Sequence, residues 1–276
     1  MRDLWKIFKK NKTAVIGLVV ALIVIFIAAI APLLAPYDPL EQNVSEKLTP
    51  PRTQYLMGTD VFGRDVLSRV IYGARVSLMV GVFSVMLAMV VGTAMGIYAG
   101  FKGGRIENLI MRGVDILMSF PNLIMGLMVM AILGSGFIKL ILAIGIVMTP
   151  RFIRIAHGST LSIKEREFVD AAKAMGLSEW RIMTKHILPN ILGEVLVMGA
   201  LWVGTAIRIE ANLSFIGLGV PPPTPTWGNM IREGLSHLTN APWLSIFPGI
   251  AILITILSFN MIGDGIRDVT DPRTQG

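Results

Sequence analysis

Few residues in this sequence have the chemistry of an active site. The chain contains no cysteine, which excludes disulfides, thiolate metal ligands and cysteine nucleophiles. Its three histidines, His157, His186 and His237, are too scattered to indicate a metal site. Neither His-Glu-x-x-His nor Gly-x-Ser-x-Gly occurs, and without any Gly-Lys pair there is no Walker-type loop for a nucleotide phosphate. The sequence therefore predicts a protein that is not an enzyme and has no metal or cofactor of its own.

Ionisable side chains inside apolar stretches are the better candidates for function. A charge near the centre of a bilayer costs about 2.5–3.5 kcal/mol on insertion scales, so each one needs a partner or water. Asp115 is a candidate for a translocation pathway, with Arg112 one helical turn earlier as its expected partner; the alternative is that the two form a structural salt bridge at the membrane interface. For Glu210 a structural role and a place on a translocation pathway both remain open, and Arg208 and Asn212 are candidates for the same pathway.

These residues lie in a chain whose composition is that of a membrane protein. It is 53% hydrophobic and only 16% charged, whereas soluble chains carry about 25% charged residues. Uncharged runs of about 20 residues match a bilayer core about 30 Å thick. We predict an all-α membrane protein with six transmembrane helices over 13–37, 76–101, 116–138, 138–155, 191–215 and 238–263. Pro121 is expected to kink the third helix.

The distribution of basic residues predicts the orientation. With both termini in the cytoplasm, the cytoplasmic segments contain 17 of the 25 Lys and Arg residues, as the positive-inside rule requires. Residues 1–12 place Leu4, Ile7 and Phe8 among lysines at helical spacing, which indicates an amphipathic helix on the inner leaflet. A cleavable signal peptide is the alternative, but the apolar run exceeds the usual 7–15 residues.

The rest of the chain, 13–276, is predicted to be one membrane domain with three polar segments. Two are external loops, 36–75 and 214–243, and the second contains Pro221-Pro222-Pro223 and is expected to be extended. The third, 157–190, is predicted to be cytoplasmic and to form two short helices. Ser162–Met175 would end at Gly176, and Ser178 would cap a second helix that Pro189 ends. Such a pair either docks into a groove of a cytoplasmic partner or lies on the membrane as a hairpin.

The pattern in this cytoplasmic segment resembles a known family. Asp170-Ala171-Ala172, then Gly176, then His186-Ile187-Leu188-Pro189 is similar to the EAA coupling loop of ABC importer permeases. Asp170 replaces the usual Glu, and His186 is typical of the dipeptide, oligopeptide and nickel permease branch.

Motifs along the rest of the chain resemble the same branch. They are Gly58-Thr59-Asp60 with Gly63-Arg64-Asp65, Leu213–Gly219, Pro225–Asn229, Asn260–Asp268 and Asp271-Pro272-Arg273. The resemblance implies a type I ABC importer permease fold. It also implies a second homologous permease, two ATPase subunits that bind ATP and Mg²⁺, and an extracytoplasmic substrate-binding protein in a bacterial or archaeal cytoplasmic membrane.

The resemblance also assigns site residues. The residues expected to couple the permease to the ATPase are Phe168, Asp170, Ala171, Ala172, Gly176, Trp180 and Pro189. The candidates for contact with a binding protein or for an external gate are Asp60, Arg64, Trp227 and Asn229. The alternative is that the segments containing them only fold against each other.

The expected cargo is a di- or oligopeptide. Nickel or another small solute is the alternative within the family, since such permeases look alike at this level. A standalone secondary transporter would show inverted repeats and paired broken helices, which the sequence does not display convincingly. An intramembrane enzyme ranks last because no catalytic set is present.

Overall fold

The computed structural model describes residues 11–270, with side chains up to residue 266, and this part of the chain is helical. Within it the only β pairing is one isolated antiparallel bridge between Thr59 and Asp65. Short 3-10 turns cover Val44–Glu46 and Leu235–His237, and a π-turn covers Met183–Ile187. The α-helices are α1 (Lys12–Ala29), α2 (Ala31–Leu34), α3 (Val66–Lys102), α4 (Gly104–Met118), α5 (Asn122–Leu133), α6 (Phe137–Lys164), α7 (Glu167–Ala174), α8 (Glu179–Ile182), α9 (Leu188–Ile216), α10 (Trp227–Gly234) and α11 (Trp243–Thr270).

The long helices correspond to the predicted spans. Among the described residues four helical stretches are long and apolar enough to cross a membrane alone: Lys12–Ala29, Val66–Lys102, Glu179–Ile216 and Trp243–Ile266. The pair α4 and α5 meets the same condition together, with a bend of 99° between them. The 28-residue α6 covers the predicted fourth span but does not meet this condition, so the described residues support four to five of the six predicted spans by length and composition.

Several boundaries differ from the predicted ones for local reasons. α3 begins ten residues early because Asp65 caps it, accepting hydrogen bonds from the Ser68 N–H and hydroxyl at 2.7 Å each. The expected kink at Pro121 is a full break between α4 and α5, since proline lacks an N–H and disfavours helical geometry in the preceding residue. Gly134-Ser135-Gly136 form the short connection between α5 and α6.

The interfacial helix predicted for residues 1–12 falls almost entirely outside the described residues, as does the Asp271-Pro272-Arg273 motif. The expectation of an extended loop over 214–243 was wrong in part, because Trp227–Gly234 forms α10. Thr226 starts this helix, since its hydroxyl accepts a hydrogen bond from the Asn229 N–H at 3.2 Å.

The first of two compact units contains residues up to Val82, Met130–Ile141 and residues from Leu201 onward. In this unit α1 packs closely on α11, since a Cβ on Gly17 would lie only 2.6 Å from Met261 Cβ. A buried apolar cluster joins the start of α3 to α10 and α11, and it consists of Val66, Val70, Met230, Ala241 and Leu244.

The second unit contains Phe83–Val129 and Leu142–Ala200. Here α3 packs on α6 through glycines spaced four apart, Gly92, Gly96 and Gly100. A Cβ on Gly96 would lie 2.5 Å from the Ile153 carbonyl oxygen, so the two backbones are in contact. Small residues at this spacing are the usual basis of close helix packing in membranes, where no hydrophobic effect holds helices together.

Candidate functional site

The hairpin of α7 and α8 is held by its glycine turn. The Leu177 N–H donates to the Ala172 carbonyl at 3.2 Å, and the Gly176 N–H donates to the Lys173 carbonyl at 2.9 Å. Gly176 has φ +73°, a left-handed conformation that completes this helix-ending motif and is open to glycine without strain. The predicted C-cap at Gly176 is confirmed. However, α7 is shorter than expected because a turn at Glu165 and Arg166 interrupts the helix.

Four apolar residues of the hairpin are exposed within the described residues. Met175 is 72% exposed, Trp180 73% and Phe168 42%, and Ala171 is exposed on the α7 face that Phe168 and Met175 share by their spacing. We call these four residues the coupling surface. Large apolar side chains grouped on a surface are typical of a protein interface.

Two residues assigned to coupling have other positions. Ala172 is fully buried, so it packs on the inner face of α7 and is not available to a partner. Pro189 does not end the second helix. The helical stretch continues from Glu179 to Ile216 through the π-turn, in which the Leu188 N–H donates to the Met183 carbonyl. Because Pro189 has no N–H, one backbone hydrogen bond is missing directly after the wider π-turn, and the helical stretch continues despite this loss.

This continuity matters mechanically, because α8 and the membrane-spanning α9 form one helical rod. Further contacts attach the hairpin region to the end of α3. Glu179 pairs with Lys102, and Lys164 Nζ donates to the Gly100 carbonyl at 2.8 Å. The hairpin is therefore connected to both α9 and α3.

Polar pairs link the neighbouring helices in the same unit. Arg154 on α6 binds Asp115 on α4 at 2.6 Å, so the expected partner Arg112 was wrong. In the folded chain α6 lies beside α4, so that Arg154 reaches Asp115. The spacing of residues in the sequence does not reveal this contact. Both side chains are at least half exposed, and this pair fits the interfacial salt bridge. His157 and Glu107 make a similar contact at 2.6 Å.

The polar residues of α9 divide between two faces. Glu210 is fully buried, accepts a hydrogen bond from the Ser214 hydroxyl at 2.7 Å and lies beside Ser77. Arg208 and Asn212 are exposed and share a face at i, i+4 spacing. Burial inside one subunit favours the structural interpretation of Glu210, while the exposed pair remains available to a pathway.

A cluster of four buried or half-buried charges occupies the first unit. Asp60 accepts from Arg64 Nε at 2.6 Å and lies 3.4 Å from Arg69 Nε. Glu233 on α10 contacts the same two arginines at 3.1 and 3.6 Å. Arg64 and Arg69 are only 3% and 2% exposed, whereas Glu233 is 28% exposed, so two positive and two negative charges balance in a cluster that is mostly shielded from water.

The other external candidates are also buried. Trp227 is 1% exposed and its Nε1 donates to the Val70 carbonyl at 2.9 Å. Asn229 is 6% exposed and donates to the Val220 carbonyl at 2.5 Å. With Asp60 and Arg64, they hold the two external segments against each other. The structure thus favours the folding alternative for all four residues over direct contact with a binding protein.

Sequence reasoning missed Arg69 and Glu233. Arg69 follows Asp65 by one helical turn, a spacing that signals a helix face but not its burial. Glu233 is far away in sequence, and only the position of α10 brings it to the cluster. Within the described residues no group of three His, Asp or Glu side chains is arranged to hold a metal ion.

Comparison with known proteins connects this geometry to a family. Residues 92–276 match the family described as binding-protein-dependent transport system inner membrane component. Residues 1–51 match the N-terminal TM domain of oligopeptide transport permease C.

Similar proteins extend over nearly the whole chain. A dipeptide transport system permease protein of Alkalihalophilus pseudofirmus is 43% identical over 99% of this chain and 90% of its own length. A di/tripeptide transport system permease protein of Pseudomonas aeruginosa is 39% identical over 99% and 92%. A glutathione transport system permease protein of Pectobacterium atrosepticum is 38% identical over 99% and 91%.

A solved structure shows the fold. An inward-facing methionine ABC transporter, MetNI, has a chain that matches with a TM-score of 0.58 and 19% identity, over 74% of this chain and 98% of that one. In such importers ATP is hydrolysed by separate subunits and solute is delivered by a binding protein. The chain therefore belongs to the binding-protein-dependent transport system inner membrane component family and is a multi-pass inner-membrane permease subunit of an ABC importer.

Proposed function

We propose that this chain forms half of a translocation pathway for di- and oligopeptides, beside a second, homologous permease. Two ATPase subunits would bind ATP and Mg²⁺ below it, and one extracytoplasmic binding protein would deliver the peptide above. The names of the relatives that are 38–43% identical support a peptide cargo. The basic residues support cytoplasmic termini, which place the hairpin on the side of the ATPases.

The observation that carries the proposal is the coupling surface at the end of a continuous helix. Phe168, Met175 and Trp180 are exposed on the hairpin, and the helical stretch from Glu179 reaches Ile216 through the π-turn at Met183–Ile187. Closure of the ATPase pair would push on the hairpin. The rod would then tilt α9 as a rigid body and switch the pathway between inward-facing and outward-facing states.

The exposed face of α9 is the part of this subunit best suited to line the pathway. Arg208 and Asn212 make no ion pair or side-chain hydrogen bond with other residues in the described range 11–266. A lipid-facing Arg is costly inside a membrane, so this face requires water, peptide or a neighbouring subunit. Glu210, on the buried face, supports the helix from behind.

The coupling role is tested at Gly176, where a Cβ would meet nothing within 4 Å. Gly176→Asp adds a charge to the docking face, whereas Gly176→Asn adds nearly the same shape without charge. Asn and Asp also tolerate the left-handed conformation better than other residues. In cells that express the full importer, we expect Gly176→Asp to abolish ATP-driven dipeptide uptake at normal membrane levels, and Gly176→Asn to keep most of it. Normal uptake by Gly176→Asp would refute the coupling role.

The cargo is tested separately by competition. Importer-dependent uptake of a labelled dipeptide should be reduced by excess unlabelled di- and oligopeptides but unaffected by nickel salts. Uptake of radioactive nickel that peptides do not inhibit would favour the alternative cargo and leave the coupling role intact.

A further inference from the structure

An apolar groove in the second unit shares only Trp180 with the coupling surface. Its walls are the stretch Met89–Tyr98 of α3 and the stretch Trp180–Val195, and it encloses a cavity of about 350 Å³. Ala94 is exposed on one wall. Nothing within the described residues fills it.

Two amphipathic aromatic side chains, Trp180 and Tyr98, line the otherwise apolar groove, and such side chains favour the boundary between lipid tails and headgroups. Arg181 and Lys185 do not line the groove but are exposed on the same helical stretch, one residue after the groove-lining Trp180 and Thr184. The only acidic residue between 179 and 187 is Glu179, which is already paired with Lys102. This helical stretch therefore carries an excess of positive charge next to the apolar groove.

The length of the groove fits a single leaflet. Nine residues separate Met89 from Tyr98, which corresponds to about 14 Å along a helix, and half of a bilayer core is about 15 Å. We propose that the groove binds one anionic phospholipid, with an acyl chain between α3 and α9 and the headgroup phosphate on Arg181 and Lys185. The proposal requires that the chain is a membrane subunit but is independent of its cargo.

A helix of the second permease is the competing occupant, and Thr93 distinguishes the two. Its hydroxyl lines the groove and is buried without a hydrogen-bond partner in the described part of the chain. An acyl chain has no group that can form a hydrogen bond with this hydroxyl, so Thr93→Val should not change lipid retention. A polar group of a partner helix would use it.

The test is native mass spectrometry of the complete importer, purified in mild detergent with equal amounts of phosphatidylglycerol and phosphatidylcholine. We expect preferential retention of phosphatidylglycerol. The double variant Arg181→Gln/Lys185→Gln should retain at least tenfold less, and so should Ala94→Trp, which fills the groove. The control Lys173→Gln, an exposed lysine of α7, should behave as wild type.

Three results would overturn the proposal: equal retention of both lipids, retention unaffected by either groove variant, or loss of retention in Thr93→Val. A cysteine scan supplies an independent measurement, since the chain has no cysteine of its own. Ala94→Cys should react with a lipid-soluble maleimide in the assembled importer. Cross-linking of Ala94→Cys to the second permease would show that a protein fills the groove and would contradict lipid binding.

Discussion

Replacing Asp60 by Asn removes one charge from the buried cluster and should destabilise the protein strongly. The amide can still accept the hydrogen bonds that Asp60 Oδ1 takes from the Phe62 and Arg64 N–H groups. What is lost is the charge opposite Arg64 and Arg69, which are 3% and 2% exposed. Two buried guanidinium groups would then share Glu233 alone.

The magnitude follows from the balance of charges. Removing one partner from a buried ion pair costs about 3–5 kcal/mol, because the remaining charge stays desolvated and unpaired. Glu233 contacts both arginines, and its 28% exposure admits some water. We therefore expect a loss near the lower limit, about 3 kcal/mol in the free energy of unfolding.

The assay is reversible unfolding in mixed micelles by titration with dodecyl sulfate, followed by tryptophan fluorescence. Asp170→Asn is the matched control, because its partner Lys173 lies 2.9 Å away on an exposed surface, where such pairs contribute about 0–1 kcal/mol. The double variant Asp60→Asn/Arg64→Met restores the charge balance and should be more stable than Asp60→Asn alone. If Asp60→Asn loses no more stability than Asp170→Asn, the cluster does not hold the external segments together.

Three further predictions concern the helices. Gly96→Val should lower the free energy of unfolding by about 1–3 kcal/mol in the same assay, because its side chain would clash with the backbone of α6. The control Gly113→Ala should not destabilise the protein, because a Cβ there meets nothing within 4 Å. Glu210→Gln should leave the preference between charged and neutral dipeptides unchanged in uptake assays, while Arg208→Gln should alter it; the opposite result would place Glu210 on the pathway. Trp227→Phe loses the hydrogen bond to the Val70 carbonyl and should cost about 0.5–1.5 kcal/mol in the free energy of unfolding; an unchanged value would show that this bond has no net effect.

The apolar spans could be predicted from the sequence because their signal is local. Long uncharged runs and the glycine at the end of α7 specify helices and a turn without reference to distant residues. Asp115 shows the limit of this reasoning. Its nearest basic neighbour in sequence is Arg112, yet the side chain binds Arg154, which the fold brings close.

The external segments show the same limit. Their motifs indicated a family, but the burial of Asp60 and Arg64 depends on Glu233, which is 169 residues away from Arg64 along the chain. The prediction that Pro189 ends a helix was wrong for a different reason. A proline inside a helical pattern predicts the end of the helix, but here the π-turn at Met183–Ile187 directly precedes it and the helix continues with one backbone hydrogen bond missing.

The most direct measurement compares ATP-driven peptide uptake in proteoliposomes that contain this chain, its second permease and the binding protein, with and without the ATPase subunits. Uptake should occur only when the ATPases and ATP are present, and it should be lost when they are combined with the Gly176→Asp variant. Peptide uptake without ATPase subunits and ATP would contradict the claim that the α7–α8 hairpin transmits force from a nucleotide-hydrolysing partner.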